Sequence, residues 1–188
     1  TALLSLEMLK ACLQQKPLFE RLMTTSIERL WLLFDVCCST EVDFSISSNA
    51  LLLCKQMITD FPDVFMKSFV GNRANTTLLI EKMTKLITSG SSSQKKKSLE
   101  LMLEILYAAK QIQTDFAYSK NFVTALLSLT ATLGARVAPI LDVIIPTLSD
   151  ETRAVIVADK ANQIAALKEA KSDKPELVNR VVEMLEKL

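Results

Sequence analysis

The sequence contains no histidine and only three glycines, and these two scarcities exclude much of the chemistry that enzymes use. Without an imidazole there is no Ser-His or Cys-His pair to activate a nucleophile, and no histidine ligand for a metal. Three scattered glycines cannot build a phosphate-binding loop, and neither the P-loop pattern nor G-x-G-x-x-G occurs. We therefore expect a protein that is not an enzyme and that uses no cofactor and no metal.

Charge excess and long apolar runs are also lacking. The formal net charge is +1, whereas nucleic-acid-binding domains usually carry a basic excess, so we expect no nucleic-acid partner. No apolar run reaches the length of about 20 residues that spans a bilayer, and the start, TALLSLEMLK, has neither the basic residues nor the cleavage site of a signal peptide. We expect no membrane insertion. The missing initiator methionine predicts a fragment of a longer protein.

The four cysteines show no C-x-x-C spacing. Cys37 and Cys38 are adjacent, so their side chains would point about 100° apart on a helix and could not easily form a disulfide. Free, buried thiols are the expected state. Such thiols are typical of a reducing compartment, so we predict a cytoplasmic protein.

Apolar residues are abundant, at 49% of the chain, although only 6% of the residues are aromatic. They recur at intervals of three and four residues throughout, which predicts helices and no strands. Leu6, Leu9 and Leu13 form the first apolar stripe, and Pro17 is expected to end it. The other predicted helices are residues 26–38, 44–59, a short helix from Pro62, 76–88, 94–111, 120–133 up to Gly134, a helix with Pro139 near its first turn, 149–170, and a last helix. Asp173 is expected to cap that last helix, with Glu176 completing a capping-box-like arrangement.

About ten helices of roughly 10 to 18 residues, joined by short loops, fit either a compact bundle or a stacked solenoid. Helix pairs recur at roughly 35 to 50 residues, which is the spacing of armadillo and HEAT arrays. The sequence therefore predicts an all-α fold and one domain over residues 1–188, with an armadillo/HEAT-like helical-repeat solenoid favoured over the bundle. A helical array without catalytic chemistry is usually a binding surface.

Four segments carry a resemblance to a known family. They are ALLSLEMLKACLQQKPLFERLM from Ala2, STEVDFSISSNALLLCKQMIT, SSSQKKKSLELMLEILY and SKNFVTALLSL. In order and spacing they resemble the second half of the calcium-binding protein 39 family, from about Ala2 to Leu129. Beyond Thr130 only the helix pattern and ELVNRVVEMLEKL are similar, so the chain would match the C-terminal half or more of a member and lack its N-terminal repeats.

The resemblance implies an armadillo-like solenoid, a right-handed superhelix of helix pairs and triplets that serves as a scaffold. Family members bind a pseudokinase adaptor and sterile-20-type protein kinases and hold them in an active conformation. Two contact regions are implied. A concave face meets the kinase fold, and an apolar pocket near the C-terminus accepts a Trp-Glu-Phe tail of the partner.

Two candidate residues match the kinase-facing surface of the family. Lys96 matches a basic residue there. Lysine keeps the positive charge but lacks the planar guanidinium group with which arginine forms two parallel hydrogen bonds. Glu100, one turn later, stands where the family has a second basic residue, so the sign of the charge is reversed. The alternative for Lys96 is an ordinary solvated helix lysine, and for Glu100 and Glu104 a solvated polar helix face rather than an acid/base pair.

Four candidate residues belong to the tail pocket that the resemblance implies. Ala109 matches the arginine that would pair with the glutamate of the tail, Ile112 an aromatic residue and Leu126 a methionine. Phe122 is grouped with them. The alternative for Ile112, Phe122 and Leu126 is an ordinary helix-packing core.

A helical-repeat interaction module of another type, such as a tubulin- or transport-related HEAT array, is the second hypothesis for function. Such arrays place their contacts on loops between helices. SGSSSQKKK would then be a contact loop, with Lys95, Lys96 and Lys97 facing an acidic surface.

Overall fold

The computed structural model describes residues 2–39, 42–69 and 71–188, and these residues form thirteen α-helices and two 3-10 turns without a strand. The prediction of an all-α fold is confirmed. The chain divides into two compact units, unit 1 (Thr1–Lys110) and unit 2 (Gln111–Leu188). None of the helices in the described ranges is long and apolar enough to cross a membrane.

Seven helices form unit 1, and each of the first three packs against the helix that follows three places later. α1 packs on α4, α2 on α5 and α3 on α6, and α4 packs in turn on α7. Their bounds are α1 Ala2–Leu13, α2 Lys16–Thr25, α3 Ile27–Cys38, α4 Phe44–Asp60, α5 Pro62–Phe69, α6 Arg73–Ser89 and α7 Ser92–Ala108.

Apart from a long contact of the Cys38 thiol with the Lys82 carbonyl, polar contacts between these paired helices join residues that are 45 to 49 positions apart in the chain. The Lys16 amine lies 2.8 Å from a carboxylate oxygen of Asp63 in α5. The pairs of this kind are Lys16 with Asp63, Met23 with Ser68, Asp35 with Lys82, Ser47 with Gln94, and Ser48 with Lys97. The α2–α5, α3–α6 and α4–α7 pairs therefore each carry at least one side-chain hydrogen bond with this spacing.

Aromatic side chains concentrate in the core of unit 1, although the chain has few of them. The ring centroids of Phe65 and Phe69 lie 4.5 Å apart, and Trp31 approaches Phe69 edge-on at 5.9 Å. Phe19 packs near Phe61 at 5.7 Å. Burying these large rings between α2, α3 and α5 gives the unit a core that aliphatic residues then extend.

The helices of unit 2 pack around α10, which contacts both α12 and α13, while α9 packs on α11. An ion pair joins Arg180 of α13 to Asp142 of α10, with the Arg180 Nε 2.7 Å from the carboxylate. The elements are a 3-10 turn Lys110–Ile112, α8 Gln113–Tyr118, α9 Lys120–Leu127, α10 Thr130–Ile144, a 3-10 turn Ile145–Thr147, α11 Asp150–Ala158, α12 Lys160–Glu169 and α13 Pro175–Glu186.

Two predicted helix ends are wrong because a neighbouring helix was missed. The first helix ends at Leu13, before Pro17. Pro17 lies in the first turn of α2, where its missing N–H costs nothing. The predicted helix 149–170 is two helices that meet at Asp159. Asp159 accepts hydrogen bonds from the side-chain amides of Asn162 and Gln163, both at 2.6 Å, and so helps to start α12.

Gly134 was predicted to end a helix, but it lies inside α10. The chain kinks at Leu133, whose φ of −131° is not helical, and the helix then continues through Pro139. A Cβ added at Gly134 would lie 3.0 Å from the Cβ of Ala170. Glycine therefore stands here because the end of α12 approaches the backbone closely, a reason that only the tertiary structure reveals.

The predicted capping box at the last helix is also wrong. Lys174 is the residue that precedes α13, Pro175 begins it, and no side chain caps it. Proline at the first helical position is preorganised for a helix, so Asp173 is displaced from the capping role that its spacing to Glu176 suggested.

All four cysteines are free, as predicted, but only three are buried. Cys12 is exposed on α1. A hydrogen bond with Cys54, together with burial, raises the pKa of the Cys37 thiol far above its usual value. Burial raises the pKa of Cys38 to about 11. Cys37 and Cys38 therefore stay protonated at neutral pH, where a protonated thiol reacts poorly.

Candidate partner-binding surface

α4 presents one exposed face because its residues at three- and four-residue spacing lie on the same side. Phe44, Leu52 and Lys55 share this side with Ser48. The Phe44 and Leu52 side chains are 51% and 56% exposed, which is high for large apolar residues. The helix begins at Phe44 because the Asp43 carboxylate accepts a 2.7 Å hydrogen bond from the backbone N–H of Ser45.

α7 begins earlier than predicted because its first turn is capped twice. Ser91 Oγ accepts a hydrogen bond from the backbone N–H of Gln94, and Gln94 Oε1 accepts one from the backbone N–H of Ser91 at 2.9 Å. This capping box places residues 95–97 inside the helix. The hypothesis of a loop contact requires the three lysines to lie in a loop. They lie in α7 instead.

The three lysines have different surroundings because they point in different directions from α7. The Lys97 amine donates a hydrogen bond to Ser48 Oγ and lies 5.9 Å from the centroid of the Phe44 ring. Lys95 is half-buried. Lys96 is exposed, and it lies one turn before Glu100. Lys97 thus joins α7 to α4, and Lys96 is exposed to solvent.

Glu100 lies beside a cation that α4 supplies. The Lys55 amine is 3.8 Å from a carboxylate oxygen of Glu100 and 4.0 Å from one of Glu104. These side chains are each between about one third and two fifths exposed, so water screens their attraction. The negative charge of Glu100 is thus partly offset by Lys55, one helix away.

We name the exposed surface of these two helices the α4–α7 face, and we define it by Phe44, Leu52, Lys96 and Tyr107. Tyr107 lies three turns after Lys96 on the same side of α7 and is 53% exposed. The face combines three large apolar or aromatic side chains with one exposed cation. This composition is typical of the anchors and rim of a protein interface.

The four residues predicted for a tail pocket are buried, each within its own unit. In unit 1, Ala109 is fully buried at the end of α7. In unit 2, Ile112, Phe122 and Leu126 are 2%, 0% and 0% exposed. Phe122 packs edge-on against Phe116, with their ring centroids 5.0 Å apart. A partner's tail would reach these side chains only after their neighbours moved.

The sequence reasoning missed the apolar half of the α4–α7 face and a cleft in unit 2. Phe44, Leu52 and Tyr107 each stand on a helix side that is otherwise polar, and that pattern was the available signal. The cleft has a volume of about 420 Å³ and lies beside the kink at Leu133. Residues 130–136, Ala166 and residues 169–171 line it. Gly134 signals an interruption of the helix near the kink, but the end of α12 that lines the other side of the cleft has no local signal there.

Comparison of the chain with known proteins finds no matching family model and no matching curated protein. The relationship to the calcium-binding protein 39 family therefore stays a prediction. The function is argued below from the geometry of the chain and from the residues that carry the resemblance.

Proposed function

We propose that this chain is a non-catalytic scaffold that binds sterile-20-type protein kinases or pseudokinases and supports their active conformation. The observation that carries the proposal is the α4–α7 face. It exposes two aromatic rings and a leucine on the two helices α4 and α7, and α7 also carries Lys96, the residue at which the resemblance implies a kinase contact. Aromatic anchors beside a cation are the usual source of affinity in protein interfaces. The proposed setting is the cytoplasm.

An armadillo-like repeat architecture is part of the proposal, and the contacts of unit 1 support it. α1–α3 and α4–α6 have the same order, and each helix of the first trio packs on its counterpart in the second. Polar contacts 45 to 49 residues apart fall in the range of armadillo and HEAT repeats, about 40 to 47 residues, or just above it. In such arrays equivalent helices line one extended surface, and α4 with α7 form such a pair.

Kinase support would follow from a difference in affinity between two conformations of the kinase. A scaffold shifts a conformational equilibrium only as far as it binds one state more tightly than the other. The α4–α7 face is suited to this role because its two helices are tied together by Lys97 to Ser48 and by Lys55 to Glu100. A surface that is already ordered loses little conformational entropy when a partner binds.

The tail contact is the secondary part of the proposal. Ile112 and Leu126 keep the apolar character that an aromatic tail requires, but Ala109 offers no cation to its glutamate. A lost charge-assisted hydrogen bond would weaken binding by about 1.5 to 3 kcal/mol. Because these residues are buried, we assign the principal contact to the α4–α7 face.

The proposal is tested by calorimetric titration of the chain with a purified sterile-20-type kinase domain and with a pseudokinase. Lys96→Glu reverses the exposed charge and should weaken binding about tenfold or more. Lys67→Glu is the matched control, since Lys67 is an exposed lysine of α5 outside the face. Equal effects of the two substitutions would contradict the assignment of the face. Binding to tubulin without any binding to a kinase would favour the HEAT-array hypothesis.

A further inference from the structure

The cleft of unit 2 is formed by the kink in α10 and by the end of α12. α10 leaves helical geometry at Leu133, and residues 130–136, before and after that kink, line part of the cleft. The rest of the lining is Ala166 and residues 169–171. α10 and α12 pack on each other and each packs on α13, all within unit 2. The cleft is thus formed by helices of one unit and needs no neighbouring repeat.

The size of the cleft suits a small organic molecule. Its volume of about 420 Å³ falls within the range of about 300 to 1,000 Å³ that is typical of small-molecule sites. Four alanines contribute to the lining, and their short side chains leave space that larger residues would fill: Ala131, Ala135, Ala166 and Ala170. These methyl groups offer an apolar surface to the carbon skeleton of a ligand.

The charges around the cleft favour an anion. Arg136 and Lys171 line it together with a single carboxylate, that of Glu169, so positive charge is in excess. Residues 134–136 are the first turn of α10 after the kink, and all three line the cleft. The positive end of the dipole of this helical segment therefore lies at the cleft. A helix start combined with arginine and lysine is a common setting for phosphate.

A buried hydroxyl at the cleft provides an observation that is independent of charge. Thr130 lines the cleft and is only 1% exposed. Its Oγ1 is one of only two buried side-chain nitrogen or oxygen atoms in the described ranges that have no hydrogen-bond partner. Buried polar groups are nearly always hydrogen-bonded, because an unpaired one costs free energy. A ligand oxygen would supply the missing acceptor for this hydroxyl.

We propose that this cleft, which we name the α10–α12 cleft, binds a small phosphorylated molecule that also carries hydroxyl groups, such as a sugar phosphate. Arg136 and Lys171 offset the charge of the phosphate, and the Thr130 hydroxyl donates a hydrogen bond to one of its oxygens. Glu169 accepts hydrogen bonds from the hydroxyl groups of the ligand, since an ionised carboxylate is an acceptor only.

The proposal does not depend on the kinase contact. The α10–α12 cleft shares no residue with the α4–α7 face, and none with the four residues of the tail pocket that the resemblance implies. Ligand binding at the cleft and kinase binding at the face can therefore each fail while the other holds.

Nuclear magnetic resonance of the isotope-labelled full chain tests the proposal, with ribose 5-phosphate as the probe. Backbone amide signals of residues 130–136 and 169–171 should shift and reach saturation, with a Kd of about 1 mM or lower. Ribose alone should cause no saturable shift, because it lacks the phosphate. Inorganic phosphate should bind more weakly than ribose 5-phosphate, because it makes no contact with Glu169 or the alanines.

Two lysine variants separate the cleft from a general effect of charge. Lys171→Glu reverses a charge of the lining and should weaken binding about tenfold or more. Lys174→Glu is the matched control, since Lys174 is an exposed lysine of the same unit outside the lining. The control makes the same change in net charge and should bind ribose 5-phosphate nearly as the unaltered chain does.

Thr130→Val removes the hydroxyl and nearly keeps the shape of the side chain. It should weaken binding several-fold without lowering the midpoint of thermal unfolding of the free chain, because the hydroxyl has no partner to lose among the described residues. A hydroxyl with a purely structural role would show the opposite pattern, a lower midpoint and unchanged binding.

The absence of a saturable shift with ribose 5-phosphate would overturn the proposal. So would equal losses of affinity in Lys171→Glu and Lys174→Glu, or unchanged affinity in Thr130→Val. Shifts of the same amides with a phosphoserine peptide but not with ribose 5-phosphate would contradict it as well, because they would assign the cleft to a protein partner.

Discussion

The Lys97 amine lies over the Phe44 ring, 5.9 Å from its centroid, and also donates a hydrogen bond to Ser48. Of the three lysines at 95–97, Lys97 therefore holds α7 against α4. A cation over an exposed aromatic ring is worth about 0.5 to 1 kcal/mol. Lys97→Ala should lower the free energy of unfolding by that amount, measured by urea titration. Lys96→Ala should change it by less than about 0.5 kcal/mol, because Lys96 is exposed.

The burial of Phe122 predicts a structural role that a pocket residue would not have. Its ring is fully buried against Phe116, so Phe122→Ala should cost about 3 to 5 kcal/mol of stability in a denaturant titration. Tyr118→Ala is the control, because Tyr118 is 57% exposed in the same unit. A small loss at Phe122 would show that the ring contributes little to the core and would favour the tail-pocket assignment.

The four thiols should differ in their reaction with iodoacetamide. Cys12 is exposed, whereas Cys38 is buried with its pKa raised to about 11. Cys12 should therefore be alkylated about tenfold faster or more at mildly alkaline pH. Peptide mapping by mass spectrometry at successive times measures the order. Alkylation of Cys38 at the rate of Cys12 would mean that α3 opens readily.

Asp159 should link the stability of unit 2 to pH. Hydrogen bonds from Gln163 and Asn162 hold the pKa of its carboxylate below the usual value of 3.8. A lowered pKa in the folded state means that the stabilisation is present at neutral pH and is lost as the pH falls through the folded-state pKa.

The measurement is the midpoint of thermal unfolding as a function of pH, for the unaltered chain and for Asp159→Asn. The difference between the two should be largest near neutral pH and should close below the usual pKa of 3.8. Asp173→Asn, at an exposed aspartate in the same unit, is the matched control for the substitution itself. If the difference in unfolding midpoint between the unaltered chain and Asp159→Asn stays constant with pH, the charge of Asp159 is not involved.

Local signals predicted α4 well, and they failed where a neighbouring helix decides the conformation. The predicted range 44–59 became Phe44–Asp60, since a capping aspartate starts the helix and a proline shortly follows it. By contrast, Gly134 resembles a helix end in the sequence, but glycine stands there because Ala170 packs closely against its backbone. That approach joins residues that are far apart in the sequence, so no window of local pattern contains it.

The candidate surface was predictable only in part for the same reason. The sequence shows three consecutive lysines, and which of them is tied to α4 depends on contacts with Phe44 and Ser48, nearly 50 residues away. The reversed charge at Glu100 also has a partner that local reasoning could not find, the Lys55 amine of α4. Residue types were readable from the sequence, whereas their partners were set by the packing of α4 on α7.

The spacing of the contacts in unit 1 also bears on synthesis at the ribosome. Side-chain contacts between paired helices join residues no more than 49 positions apart. Each helix would therefore meet its partner soon after emerging from the exit tunnel, before the rest of the chain is made. The entropic cost of closing a loop grows only slowly with its length, so these separations add little to it. Unit 1 is thus suited to assemble helix by helix during translation, with few apolar surfaces waiting for a distant partner.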